Sequence, residues 1–166
     1  MPVIQRILVP TDFSLLADHA AEYAELLAQS LGASVFAVYV LSPPAVVDGT
    51  GVAPGLAAAG IQPNLEANLE NAKSSLADFV RRHFPSRDTV SEILIGTPYS
   101  QICQFAKDHS CDLIVVGSHA RGVLQRIFLG SVSKCVLEHA PCPVLMVPIA
   151  AVEKPMESSH DATGAS

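Results

Sequence analysis

DLIVVGSHARGVLQRIFLGS occupies residues 112–131 of the chain. Its LIVV run, Leu113 to Val116, contains no polar alternation, and an unbroken aliphatic run is what a strand covered on both faces requires. The run breaks at Gly117, and Gly130 and Ser131 open a segment in which Val132, Cys135, Val136 and His139 recur at helical spacing. A buried parallel strand, a loop and a helix are therefore expected in succession. Four more runs have strand character, at residues 3–9, 34–41, 89–95 and 142–147. Leu16, Ala20, Tyr23, Leu27 and Leu31 recur every three or four residues, as do Leu65, Leu69, Ala72, Leu76 and Phe79, so two amphipathic helices separate the first three strands. Gly32 closes the first as a C-terminal cap and Pro85 follows the second. Thr97 and Pro98 open a third with a capping hydroxyl and a first-turn proline, and it continues through Ile102, Phe105 and Ala106. Regular β-α alternation predicts an α/β fold: a doubly wound five-stranded parallel sheet, strand order 3-2-1-4-5, with helices on both faces.

A chain of 166 residues fits one domain, assigned to residues 1–149. Its apolar share of 49% and charged share of 16% exclude disorder over most of the length. Two stretches stand apart. Residues 42–64 are rich in Pro and Gly and longer than a connection inside a compact domain needs, so they read as a flexible loop or lid. Residues 150–166 are small and polar and read as a disordered tail. The net charge of −6, without a basic run, argues against a nucleic-acid partner. No apolar stretch approaches the roughly 18 residues of a membrane span, and the N-terminus lacks the pattern of a signal peptide, so a soluble protein without membrane insertion is expected. Cys103, Cys111, Cys135 and Cys142 are too sparse for a disulfide scaffold, which places the chain in a reducing cytoplasm.

In an open parallel sheet, ligands bind beyond the carboxyl ends of the strands where the winding reverses. The reversal here falls between strands one and four, which end in VPTDFS, residues 9–14, and VGSHARG, residues 116–122. Glycine allows close backbone approach, and a helix start offers unpaired N–H groups with partial positive charge. Gly117, Gly130 and Ser131 are thus candidates to embrace a phosphate chain. Asp12 and Ser131 have simpler readings as helix caps, and the two glycines as turn residues. A Walker loop needs a Gly-Lys pair that the chain lacks. GTGVAPG, residues 49–55, has the wrong last spacing for a dinucleotide fingerprint. Cys135, His139 and Cys142 want a fourth ligand for zinc, Cys103 and Cys111 read as inert thiols, and Arg121 and Arg126 read equally as phosphate contacts or solvated charges. His119 lacks a nameable carboxylate partner for acid–base work.

Gly117 to Ser131 resembles the nucleotide loop of universal stress proteins, in which Gly, two residues, Gly, nine residues and Gly with Ser or Thr follow one another. Three of four positions match, with Ala120 where the second Gly would stand. ILVPTDFS near the start, HAPCPVLMVP at residues 139–148 and the element order are also similar, so the resemblance spans residues 3–148. It implies the ATP-binding branch of the family. By position, Pro10, Thr11 and Asp12 follow strand one, with Asp12 near the ribose or a metal, Mg2+ or Mn2+. Val40 flanks the adenine through its backbone. Val116, Gly117, His119 and Ala120 line the phosphates, and Gly130, Ser131, Val132 and Ser133 close over them. A left-handed backbone at Ala120 would cost alanine roughly 1 to 2 kcal/mol. The ligand is ATP, or AMP or ADP, and the role that of a nucleotide-dependent regulator or stress-resilience factor, with slow ATP hydrolysis left open and no dedicated catalysis. The resemblance further implies a homodimer through the last strand and leaves room for a regulatory protein partner. Two rivals are a dimeric scaffold of the same fold without nucleotide, and an adenine-nucleotide α-hydrolase. The latter usually carries a glycine-rich loop after strand one, and VPTDFS has no glycine.

Overall fold

The computed structural model describes residues 3–42, 65–120, 127–128 and 130–150. Six strands and four helices follow one another as β1 Arg6–Thr11, α1 Leu15–Leu31, β2 Ser34–Leu41, α2 Leu65–His83, β3 Val90–Ile95, α3 Pro98–Asp108, β4 Leu113–Ala120, β5 Ile127–Phe128, α4 Ser131–His139 and β6 Val144–Ala150. The five long strands are all parallel and lie in the order β3-β2-β1-β4-β6, the expected doubly wound arrangement. β5 is an addition that the sequence did not announce: two residues pairing antiparallel with His119 and Ala120.

Period-two alternation divides the core. Ile7, Val9, Val35, Ala37, Leu113 and Val115 face α1 and α2 and meet Leu76 and Phe79. Leu8, Val38, Ile114 and Val116 face α3 and α4 and meet Ile102, Phe105 and Val136. α1 buries Ala17, Ala20, Ala21, Ala24 and Ala28; of the stripe that the spacing suggested, Ala20 is buried, Leu27 packs against the core half-buried, and Tyr23 and Leu31 are exposed. Methyl side chains let the helix axis approach the sheet, so the larger residues are displaced to its flanks. The helix ends at Gly32, whose φ of 66° is the left-handed cap expected.

Strand limits shift where pairing decides them. β1 starts at Arg6, opposite Ser34, instead of residue 3, because Asp112 Oδ2 accepts the N–H groups of both Gln5 and Arg6 at 2.9 Å and fixes the entry. β4 runs four residues past Val116, and β6 reaches Ala150, which the composition had assigned to the tail; the two pair continuously from Ile114↔Val144 to Ala120↔Ala150. Ala120 ends β4, paired with Ile127 and Ala150, so its backbone is an extended ladder in which alanine carries no left-handed strain. Two caps differ as well. Thr97 precedes α3 but its side chain makes no capping hydrogen bond, the proline at the first turn having already removed one donor. Ser14, not Asp12, is the N-cap of α1, accepting from Ala17 N. The expected flexible loop, Ser42 excepted, the tail from residue 151, and Arg121, Gly122 and Arg126 lie outside the described residues.

Candidate functional site

β1 and β4 are neighbours, in register at Ile7↔Leu113 and Leu8↔Ile114. The chain leaves β1 for the helix layer on one face, and α4 after β4 packs on the other, so the segments diverge at the carboxyl edge of the sheet. A cavity of about 360 Å³ occupies that divergence, within the size range of small-molecule sites.

The β1 side of the cavity is Pro10, Thr11 and Asp12. Here the chain turns sharply. Thr11 Oγ1 accepts from Phe13 N at 3.0 Å, and Phe13 takes a φ of 62°. A left-handed backbone at a bulky residue stores about 1 to 3 kcal/mol; the Phe13 ring is held by stacking on Tyr39, centroids 4.7 Å apart. Asp12 Oδ1 accepts from Ser14 N at 3.0 Å and from Ser14 Oγ, which sets the carboxylate at the rim. Asp12 is exposed and is the one charged group among the described residues lining the cavity.

The opposite wall is the start of α4. Gly130 is its N-cap and supplies no side-chain cap; the first helical bond runs from Lys134 N to Gly130 O at 3.0 Å. The N–H groups of Ser131, Val132 and Ser133 therefore have no intrahelical acceptor. Ser133 Oγ donates to Gly117 O at 3.3 Å and ties this turn to β4. The two glycines differ. A Cβ on Gly117 would collide with the Leu16 carbonyl of α1, 2.7 Å from its carbon and 2.9 Å from Leu16 Cβ, so glycine there serves packing. A Cβ on Gly130 would meet nothing within 4 Å, and its φ of −57° suits any residue. Neither packing nor conformation asks for glycine at 130; what its missing side chain leaves is open cavity at the helix start.

The third wall is apolar. Val40 lies past the last β1–β2 pair, Thr11↔Tyr39, and joins Val38, Pro98, Ile102, Val116 and Val136 around the cavity. Of the residues picked from sequence, Pro10, Thr11, Asp12, Val40, Val116, Gly117, Gly130, Ser131, Val132 and Ser133 thus converge on one space. His119 and Ala120 continue β4 beyond it, with only their backbone described. Pro98, Ile102 and Val136 were missed because they read as helix-start and core positions, and Ser118 because β4 was expected to stop at Val116. Asp12 stands without a second acidic partner in a metal cluster: among the described residues no three His, Cys, Asp or Glu side chains group to hold an ion. The thiols lie away from the cavity lining. Burial pushes the Cys111 thiol up to about 12, with Cys142 and Asp112 adding to the shift, and burial also raises Cys103 and Cys142.

Fold and cavity together define a doubly wound α/β protein with its crevice at the topological switch point. Residues 4–148 match the universal stress protein family, and the chain belongs to that family. It is 32% identical over 145 residues to a universal stress protein of Methanocaldococcus jannaschii, covering 86% of this chain and 81% of the relative. Universal stress protein UspA from Lactobacillus plantarum superposes with a TM-score of 0.66 at 31% identity, over 87% of this chain and 98% of that one. The same fold recurs in a universal stress protein from Archaeoglobus fulgidus solved in complex with dAMP, with a TM-score of 0.59 at 20% identity over 89% and 99% of the two chains.

Proposed function

We propose that this protein binds an adenine nucleotide, ATP in the first instance, in the crevice between β1 and α4, and acts through occupancy of that site as a regulator or stress-resilience factor. The observation that carries the reading is the start of α4: three N–H groups without intrahelical acceptors, no side-chain cap, and open space at Gly130 where a side chain would fit. That is the geometry of an anion site at a helix terminus. The apolar wall of Val38, Val40, Pro98 and Ile102 suits a purine. The family kinship and the dAMP complex of a fold relative agree with this choice of ligand.

Charge sets the rest of the argument. The chain carries a net −6, and Asp12 is the one charged group among the described lining residues, so a triphosphate is met by backbone dipoles, Ser131 and a divalent cation. Mg2+ or Mn2+ would be held by Asp12 together with phosphate oxygens, in keeping with the lack of an all-protein cage among the described residues and with the way Mg2+ is usually shared between a carboxylate and a nucleotide. The reading includes a homodimer through the edge of β6 and a reducing compartment in which the four cysteines stay as free thiols. Calorimetric titration with ATP, with and without Mg2+, tests the nucleotide. A Kd on the order of 1 μM to 1 mM is expected, with Asp12→Ala weakening binding chiefly in the presence of Mg2+. No heat and no competition by ATP in the parent protein would leave the fold as a nucleotide-free scaffold.

A further inference from the structure

Phe13 is not part of the cavity lining, yet it stands between two residues that are, Asp12 and Ser14. Its φ of 62° is left-handed, a conformation that a bulky side chain disfavours and glycine adopts freely. A chain that needed only a turn between β1 and α1 would have no use for phenylalanine here. The ring supplies what glycine lacks. It is half-buried against the core layer beneath α1 and α2. There it stacks on Tyr39 of β2, centroids 4.7 Å apart and planes 22° apart, and meets Phe79 of α2 edge-on at 6.4 Å. Phe79 is itself fully buried, so the ring is gripped by the core.

The consequence falls on the residue before it. Thr11 Oγ1 accepts from Phe13 N at 3.0 Å, and Asp12 Oδ1 accepts from Ser14 N at 3.0 Å and from Ser14 Oγ. The peptide groups on either side of Phe13 supply both N–H donors, so a different φ at this residue would turn Ser14 N away from Asp12 and release the carboxylate. Both bonds to Asp12 fall on Oδ1, and Oδ2 makes no hydrogen bond among the described residues. Asp12 is also the one charged group among the described lining residues, so its heading is what a ribose or a cation in the crevice meets. Backbone strain persists only where the surroundings over-determine it, and it gathers where a binding geometry must be held.

We infer that Phe13 is a positioning residue of the site: its ring, held between Tyr39 and Phe79, locks the left-handed turn that aims the Asp12 carboxylate into the crevice. The inference rests on the nucleotide reading above and adds to it a dependence on α2. Phe79 is not part of the cavity lining, so α2 acts on the ligand through Phe13 and Asp12. A carboxylate already aimed spares the ligand the cost of ordering it, which is how a clamp remote from the ligand raises affinity.

Phe13→Gly removes the ring and leaves the left-handed backbone accessible; Phe79→Leu keeps Phe13 and removes the edge contact from α2. The test is a double-mutant cycle. ATP is titrated in the presence of Mg2+ by calorimetry into the parent, Phe13→Gly, Asp12→Ala and the double variant, each below its melting temperature. The cycle is repeated with Phe79→Leu in place of Phe13→Gly, so that a folding failure of one variant leaves the other to decide. Expected are a loss of about tenfold in affinity for Phe13→Gly and about threefold for Phe79→Leu, and double variants within about twofold of Asp12→Ala alone, because a carboxylate that is absent cannot be misdirected. A merely structural role would lower the melting temperature without this coupling to Asp12. Parent-like affinity in the folded Phe13 or Phe79 variant would overturn the inference and leave the nucleotide reading intact. Losses that multiply in the double variants, or an Asp12→Ala that binds ATP as the parent does, would overturn it in the same way, since Phe13 would then act apart from Asp12. No ATP binding by the parent would overturn both readings, and only that outcome touches the first.

Discussion

Gly117 and Gly130 stand in one cavity wall for opposite reasons. Gly117 has no room for a methyl group because the backbone of Leu16 crosses it, and backbone cannot step aside as a flexible side chain can. Gly130 has room to spare. Gly117→Ala is accordingly expected to destabilise the protein by about 1 to 3 kcal/mol, the usual penalty for overpacking, as read by urea denaturation. Gly130→Val is expected to keep the fold, with a penalty of no more than about 1 kcal/mol at an N-cap position, and to lose ATP binding in calorimetry because its side chain fills the space next to the unpaired N–H groups. ATP affinity unaffected by Gly130→Val would remove the start of α4 from the site. The motif spacing marked both glycines alike; only the neighbours of each separate a packing glycine from a ligand-space glycine. Phe13 carries a similar lesson. Its left-handed backbone is sustained by Thr11 Oγ1 on one side and the Tyr39 ring on the other, two partners that its place in VPTDFS does not reveal.

Elements meet their neighbours at specific points, and these set a pH response. At the entrance of β4, Cys111 is buried in the layer beneath α3, with Cys142 at the entrance of β6 packed against the same layer. Burial holds the Cys111 thiol up at about 12, against 9.0 for the free group. A folded-state value above the unfolded one means that the native protein binds the proton more tightly. Its contribution to stability is whole below pH 9.0 and is lost as the pH rises from there toward about 12. Cys103 and Cys142 act in the same direction. Denaturation midpoints are expected to hold steady from neutral pH to about 9 and then fall. Cys111→Ala is expected to flatten that fall; an unchanged slope would trace it to other groups. The same end of the sheet has a further tie at the entrance of β2. Arg87 after α2 reaches Glu25 of α1 at 2.8 Å and Ala33 O at 3.0 Å, a half-buried clamp that fixes how α1 and α2 lie over β2.

In the whole molecule, β6 forms one edge of the described sheet. β6 pairs only with β4 among the described strands. Because Ile114 N donates to Pro143 O, odd-numbered residues of β6 turn their backbone groups toward β4, and Val144, Met146 and Pro148 turn theirs outward. Pro148, lacking an N–H, sits where an edge strand tolerates proline. The dimer proposed through β6 would then use the outward N–H of Met146. Met146→Pro is expected to shift the protein from dimer to monomer in light scattering while leaving the β4–β6 ladder whole, whereas Leu145→Pro strikes the ladder itself and lowers stability. A parent protein of monomer mass at micromolar concentration would count against the dimer. The described helices include none long and apolar enough to cross a membrane.

Alternating β and α segments, continuous aliphatic strands and the helix breakers at Gly32 and Pro98 pointed to the five-stranded order, because five alternating units are commonly wound both ways from a central first strand into an open parallel sheet. Gly117, Gly130 and Ser131 of the cavity wall could likewise be chosen from the chain, since a switch-point crevice must be bordered by the ends of β1 and β4 and by the helix that follows, while Pro10, Thr11, Asp12, Val40, Val132 and Ser133 were implied by the family resemblance. Pairing and packing decided the rest. β4 reaches Ala120 because β6 accompanies it that far, which turned Ala120 from a strained loop position into a strand end and brought Ser118 into the wall. α1 presents alanines to the sheet because close approach outweighs the area of its leucines. Pro98, Ile102 and Val136 join the cavity from α3 and α4 only through the way those helices lie over the sheet. Sequence specifies what each residue prefers within a few positions; which residues lacking such a preference face a shared space depends on contacts between distant segments, and those exist only in the folded chain.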